Sequence, residues 1–144
     1  MYKTLNQLGN IIFYVQDVEK TLTFFENAFG VERAFLDPSG HYGQLDTGTT
    51  ALGFASFELA KQNLSKPFHA LSSKELPGCE ISFLTKDVNL SLANALKAGA
   101  ELIAKPEAKP WGQTIAYVRD FNGILIEIGS EMMAGCAADS CCCH

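Results

Sequence analysis

An α+β fold made of two βαβββ modules is predicted by an internal repeat and by the grouping of strands in this 144-residue chain. A shift of 70 positions, from 11 to 81, aligns two sets of residues: Ile11, Phe13, Asp17, Val18 and Leu22 with Ile81, Phe83, Asp87, Val88 and Leu92. In each copy several short strand segments follow one helical segment, which is the opposite of βαβαβ alternation. The two sheets are therefore predicted to be mixed and mostly antiparallel.

Each copy begins with a strand, and an aspartate after that strand marks the start of a helix. Asp17 and Asp87 occupy the expected N-cap positions, where a carboxylate accepts free amide hydrogens and favours the positive end of the helix dipole. Gly30 and Gly99 are the expected helix ends, because glycine readily adopts the left-handed conformation that closes many helices. Both copies are thus predicted to share the order strand, helix, strands.

Three further strands are predicted in each copy, separated by turn residues. In the first copy they cover residues 31–36, 42–46 and 51–57, and in the second copy residues 101–105, 113–119 and 124–129. The last two strands are joined by Asp120-Phe121-Asn122-Gly123, in which Asn-Gly is a strong hairpin signal.

These elements divide the chain into residues 1–57 as the first module, 58–78 as a linker or lid, 79–130 as the second module and 131–144 as a flexible tail. The linker is polar, and we expect it to begin with a short helix at 58–63. As a plain linker it covers the domain, whereas as a lid it would fold Phe68 and His69 over a ligand. The tail holds four of the five cysteines. A metal site there is disfavoured, because three adjacent side chains do not easily converge on one ion.

Charge and composition exclude several classes of partner. The formal net charge is −5, and no run of Lys or Arg is present, which argues against nucleic-acid binding. No apolar stretch approaches the ~20 residues of a membrane helix, and the first residues do not resemble a signal peptide. The odd cysteine count does not suit a disulfide framework, so we expect a cytoplasmic protein without membrane contact.

Strand alternation assigns side chains to the two faces of each sheet. Ile124, Ile126 and Ile128 share one face of the last strand and should pack under a helix, which turns Glu127 to the other face. Asn10, Tyr14 and Glu80 face away from the helices by the same count. If that side were plain solvent, four further residues would form a large exposed apolar patch: Phe54, Ile115, Tyr117 and Leu125. A cupped cleft that binds a small molecule explains the pattern better.

Two Gly-Gln pairs and the single tryptophan add candidates for ligand contact. Gln44 and Gln113 each follow a glycine and open a central strand, so either is an edge residue or a hydrogen-bonding contact to a ligand. Trp111, at the mouth of the same strand as Gln113, is either a core residue or a ring that stacks on a ligand.

The chain resembles the vicinal oxygen chelate superfamily, which includes glyoxalase I, extradiol dioxygenases and bleomycin-resistance proteins. The resemblance extends from Leu8 to Ser130 and rests on these motifs: Tyr14-Val15-Gln16-Asp17-Val18, Phe24-Phe25, Phe29-Gly30, Lys86-Asp87-Val88, Ala98-Gly99-Ala100, Arg119-Asp120-Phe121-Asn122-Gly123 and Ile126-Glu127-Ile128. It implies the cupped two-module fold and, for short chains of this type, a homodimer.

The resemblance also implies where a metal would bind, namely the first and last strands of each module. Those places hold Asn10, Glu80 and Glu127, with the fourth near Leu52 or Gly53. This set lacks the imidazoles that transition metals prefer, although Glu80 and Glu127 leave a divalent metal possible. No cofactor is otherwise indicated.

Two function classes therefore remain open. The favoured one is a metal-free protein that sequesters or detoxifies a small organic molecule. The alternative is a divalent-metal-dependent lyase, isomerase or dioxygenase acting on vicinal oxygens, with Glu127 as the candidate catalytic base. A structural reading of Glu127 is an internal ion pair with Arg119 on the neighbouring strand.

Overall fold

The structure is a computed structural model that describes residues 4–72 and 74–132. Its strands and helices follow one another in the order β1 (Asn10–Val15), α1 (Val18–Phe29), β2 (Arg33–Leu36), β3 (Tyr42–Leu45), β4 (Ala51–Ser56), α2 (Phe57–Leu64), β5 (Ile81–Thr85), α3 (Val88–Lys97), β6 (Glu101–Ala108), β7 (Thr114–Arg119) and β8 (Leu125–Ser130). The strands form two four-stranded sheets with the same topology, β1-β4-β3-β2 and β5-β8-β7-β6. We call β1–β4 with α1 and α2 module 1, and β5–β8 with α3 module 2.

Both sheets are mixed and mostly antiparallel, as predicted. The first and last strands of each module pair in parallel, β1 with β4 and β5 with β8, and the other pairs are antiparallel. A parallel pair needs a long crossover, which the helix and the two intervening strands supply in each module. The α+β class and the βαβββ repeat are therefore confirmed.

The predicted helix signals are present in both modules. Asp17 accepts a hydrogen bond from the amide of Lys20, and Asp87 accepts one from the amide of Leu90, each at 3.0 Å. Gly30 closes α1 in the left-handed conformation with φ of 68°. The short helix α2 is longer than predicted by one residue at each end. Ser56 caps its start through the amide of Leu59, and Ser65 closes its end in the left-handed conformation.

The core of module 1 corrects one predicted face. Phe54 is fully buried and stacks on Phe25 of α1, with ring centroids 5.3 Å apart, and on its strand neighbour Phe13. The assignment of Phe54 to the face turned away from the helix is therefore wrong. In module 2 the assignment holds, since Ile124, Ile126 and Ile128 are all buried.

The turn between β7 and β8 is as tight as the sequence predicted. The carboxylate of buried Asp120 accepts hydrogen bonds from the amides of Asn122 and Ile124, and burial raises its pKa. Gly123 has φ of 99°, and a Cβ atom there would lie 2.5 Å from the carbonyl oxygen of Ser72. Only glycine fits this position without a backbone shift.

The described chain divides into two compact units, residues 4–26 with 30–70 and residues 27–29 with 71–132. No helix in these described ranges is long and apolar enough to cross a membrane. From residue 133 onward the cysteine-rich tail lies outside the described residues, and so does the metal site that was considered there.

Candidate functional site

Except for Phe54, the candidate site residues on the strands lie on the sheet face turned away from the helices, which we call the distal face. Strand pairing identifies three equivalent positions on it. Ile12 and Gln44 both pair with Gly53 in module 1, while Ser82 and Tyr117 both pair with Glu127 in module 2. Ile12 is therefore equivalent to Ser82, Gln44 to Tyr117 and Gly53 to Glu127. The 70-residue shift of the first strands adds Asn10 with Glu80 as the fourth pair.

In module 2 these positions form a carboxyl cluster of Glu80, Ser82, Tyr117 and Glu127. The Ser82 hydroxyl donates to Oε1 of Glu127 at 2.7 Å, and the Tyr117 hydroxyl donates to Oε2 at 3.1 Å. Glu80, just before β5, interacts with both Glu127 and Tyr117. Glu127 is half-buried and Glu80 is exposed, so the cluster is open to solvent.

The cluster favours the protonated forms of two of its members. Burial raises the pKa of Glu80, and the neighbouring Glu127 raises it further through a hydrogen bond and like charge. Burial and the hydrogen bond to Glu127 raise the pKa of Tyr117 to about 12, so its hydroxyl stays a donor at neutral pH. Glu80 therefore keeps its proton to a higher pH than an unperturbed glutamate does.

The predicted structural partner of Glu127 is engaged elsewhere. Arg119 forms a salt bridge with Glu101 on β6, and its Nε donates to Oε2 of that glutamate at 2.9 Å. Since Glu127 instead accepts from two hydroxyl groups, the internal ion pair with Arg119 is not the interaction that holds it.

In module 1 the equivalent positions carry no charge, and Gly53 is covered by a neighbouring side chain. The amide nitrogen of Gln44 donates to the Tyr42 hydroxyl at 2.7 Å and to Oδ1 of Asn10 at 3.2 Å. A Cβ atom on Gly53 would lie 2.6 Å from the same Tyr42 hydroxyl. The phenol of Tyr42 therefore fills the space where module 2 carries the side chain of Glu127.

This packing bears on the metal implied by the resemblance. Of the two residues considered for the fourth ligand, Leu52 is buried on the helix face and Gly53 has no side chain. At the positions that the resemblance assigns to ligands, module 1 thus offers one amide, Asn10, whose oxygen already accepts from Gln44. Within residues 4–72 and 74–132 no group of three or more His, Cys, Asp and Glu is arranged to hold an ion. The donor set does not fit the metal-dependent pattern.

Trp111 and Gln113 lie together beside β7 but outside the carboxyl cluster. The indole nitrogen of Trp111 donates to the side-chain oxygen of Gln113 at 2.7 Å, and the Gln113 amide donates to the carbonyl of Ser130 at 2.8 Å. Trp111 is 49% exposed, which removes the core interpretation. Gln113 orients an open indole ring, and stacking on a ligand stays a prediction.

Tyr14 is half-buried and contacts a residue of the predicted lid. Its ring meets Phe68 edge-on at 5.1 Å, and Phe68 also contacts Phe57 at 5.8 Å. His69 is exposed. Of the two lid candidates, Phe68 therefore touches the distal face of module 1.

Sequence reasoning missed Tyr42 and misaligned the two glutamines. Alternation places Tyr42 on the same face as Gln44, and this signal could have identified it. Gln44 is equivalent to Tyr117 and not to Gln113, because the offset between modules grows from 70 at the first strand to 73 at the central strand, from 44 to 117.

Known proteins share both the sequence pattern and this architecture. The sequence profile of the glyoxalase-like domain matches residues 8–133. The uncharacterized protein YraH of Bacillus subtilis (strain 168) is 24% identical over 123 residues, which cover 85% of this chain and 96% of that protein.

Two solved structures show the same fold. A glyoxalase-related enzyme from Fulvimarina pelagi superposes with a TM-score of 0.76 at 17% identity, covering 88% of this chain and 89% of that one. A glyoxalase/bleomycin resistance protein/dioxygenase family enzyme from Burkholderia phytofirmans PsJN gives 0.71 at 19% identity, covering 88% and 100%. The fold is that of the glyoxalase/bleomycin resistance/dioxygenase class. The chain belongs to the glyoxalase-like family, and thus to the vicinal oxygen chelate superfamily.

Proposed function

We propose that this protein binds a small organic molecule through the distal-face residues of its modules and does so without a resident metal ion, as in sequestration or detoxification. The observation that carries the proposal is the carboxyl cluster of Glu80, Ser82, Tyr117 and Glu127, which is hydrogen-bonded internally yet open to solvent. A few polar groups held in fixed positions are typical of ligand sites.

The chemistry of the cluster suggests the ligand class. Ser82 and Tyr117 direct their hydrogens at Glu127 and hold its carboxylate in place. The free lone pairs of that carboxylate accept hydrogen bonds, and Glu80 with its raised pKa supplies or takes up a proton. Small molecules that carry hydroxyl or amine groups match these acceptors.

The donor set of module 1 favours metal-free binding over the metal-dependent alternative. Asn10 is held by Gln44, and the hydroxyl of Tyr42 occupies the space beside Gly53. An amide oxygen is a weak ligand for transition metals, and glycine offers no side chain at all. A metal-dependent lyase, isomerase or dioxygenase would have to rely on Glu80 and Glu127 alone within module 2.

A thermal-shift screen of small hydroxylated, aminated and aromatic compounds tests this proposal. We expect hits that raise the melting temperature of the wild-type protein and lose their effect in Glu127→Gln, since ligands stabilise the state they bind. Glu101→Gln is the matched control, because Glu101 lies in the same sheet but pairs with Arg119. Hits that persist in Glu127→Gln would contradict the role of the cluster.

The homodimer and the cytoplasmic location remain parts of the proposal that rest on the resemblance and on composition. Light scattering at micromolar concentration measures the first directly. A strict monomer would remove the dimer without affecting the binding proposal.

A further inference from the structure

An apolar pocket lies in module 1, between the helix α2 and the segment that follows it. Its volume is about 250 Å³, and it is lined by Phe57, Lys61, Pro67, Phe68 and Ala70. None of these residues belongs to the carboxyl cluster. The pocket is predominantly apolar, with one cationic side chain.

Its aromatic walls are held by contacts within module 1. Phe68 is half-buried between exposed neighbours, and its ring is fixed by Tyr14 at 5.1 Å and by Phe57 at 5.8 Å. Phe57 starts α2, whose Ser56 cap fixes the first turn. Aromatic rings prefer edge-to-face or offset contacts, so a further ring can join Phe57 and Phe68 in the same geometries.

The charge beside these rings comes from Lys61. It lies four residues after Phe57 on α2, which places both side chains on one side of the helix. Lys61 is exposed, and its ammonium forms no ion pair with any residue in the described parts of the chain. An anionic group of a ligand would therefore find an uncompensated cation next to an apolar wall.

The volume limits the size of that ligand. A cavity of about 150 Å³ is enough for benzene, and pockets for drug-sized molecules begin near 300 Å³. The 250 Å³ in this pocket therefore suits one aromatic ring with a short substituent.

We propose that this pocket binds a single-ring aromatic carboxylate, with the ring packed against Phe57 and Phe68 and the carboxylate at Lys61. The inference goes beyond the proposed function, because it concerns a pocket that shares no residue with the carboxyl cluster and a ligand of opposite charge preference. A failure of this proposal can be distinguished from a failure of the proposed function, because Glu127→Gln should leave binding at this pocket unchanged.

The test compares benzoate with benzamide, its neutral isostere, by NMR titration of the full chain. We expect saturable binding of benzoate with a Kd about tenfold lower than that of benzamide. This ratio is of the size expected when a hydrogen bond to Lys61 gains a charged acceptor. Lys61→Met should reduce the ratio to about one. Lys66→Met is the matched control, since Lys66 is exposed in the same segment but does not line the pocket.

A second variant tests the aromatic wall. Phe68→Leu should weaken benzoate and benzamide alike while the amide spectrum stays that of a folded protein. Equal affinity for both compounds in the wild type, an unchanged ratio in Lys61→Met, or the lack of any saturable binding of benzoate would each overturn the proposal.

Discussion

The two modules share one topology but differ at four equivalent positions of their distal faces. Module 1 has Asn10, Ile12, Gln44 and Gly53 where module 2 has Glu80, Ser82, Tyr117 and Glu127. The first set is neutral and has its glycine covered by Tyr42, whereas the second carries two carboxyl groups that are open to solvent. One backbone thus carries neutral side chains at these positions in one copy and a solvent-open pair of carboxyl groups in the other.

The largest expected effect concerns which face of module 1 is buried. Phe54→Ala should lower the free energy of unfolding by about 3–5 kcal/mol, because Phe54 is fully buried against Phe25. Urea denaturation measures this. Phe35→Ala, at a ring that is 45% exposed, is the control and should cost only about 1 kcal/mol. Equal small losses would mean that Phe54 lies on the distal face after all.

The second prediction tests whether Tyr42 fills the space beside Gly53 in module 1. Gly53→Ala should destabilise the protein by about 1–3 kcal/mol, since its Cβ atom would meet the Tyr42 hydroxyl. In a Tyr42→Phe background, which removes that oxygen, the cost should be smaller by ~1 kcal/mol. A double-mutant cycle by denaturation gives the coupling. Additive costs would contradict the packing account.

The third prediction separates function from stability at Glu127. Glu127→Gln should leave the melting temperature equal or higher, because it removes one of two neighbouring carboxylates while the amide can still accept from Ser82. Arg119→Met should cost no more than about 1 kcal/mol, as its partner Glu101 is exposed. Strong destabilisation by both substitutions, with ligand binding intact, would make Glu127 a structural residue.

The smallest effect is a pH dependence at Glu80. The folded protein raises the pKa of Glu80, so this group stabilises the fold below its unfolded pKa and loses that contribution as pH rises through the folded value. Glu80→Gln should therefore match the wild type in stability near pH 4 and be slightly more stable than it near pH 7. These two pH values lie on either side of about 4.3, where an unperturbed glutamate titrates. Melting curves across this range check it, with Glu75→Gln as control. A constant difference at all pH values would contradict the shift.

Local signals in the sequence predicted most of the fold. The caps at Asp17 and Asp87, the glycine after α1 and the Asn-Gly turn each depend on neighbouring residues only. The face of β4 was missed, because Leu52 and Phe54 alternate with small residues and alternation alone does not say which face meets a helix. That choice is made by Phe25 on α1, a contact between distant parts of the chain.

The candidate site was predictable to a smaller extent. Alternation was enough to turn Glu127 and Tyr117 to the same face, and the repeat aligned Asn10 with Glu80. The closure of Gly53 by Tyr42 depends on the pairing of β3 with β4, and the longer hairpin of module 2 moved Gln113 out of register with Gln44. Contacts between strands set these features, and no single segment encodes them.

Metal content measured beside thermal stability is the most direct test of metal-free binding. Protein purified without chelators should contain no stoichiometric divalent metal, and added Zn²⁺, Mn²⁺ or Ni²⁺ should leave the melting temperature unchanged up to a large excess. Stoichiometric metal in the purified protein, with a melting temperature that falls on chelation in the wild type but not in Glu127→Gln, would contradict the account.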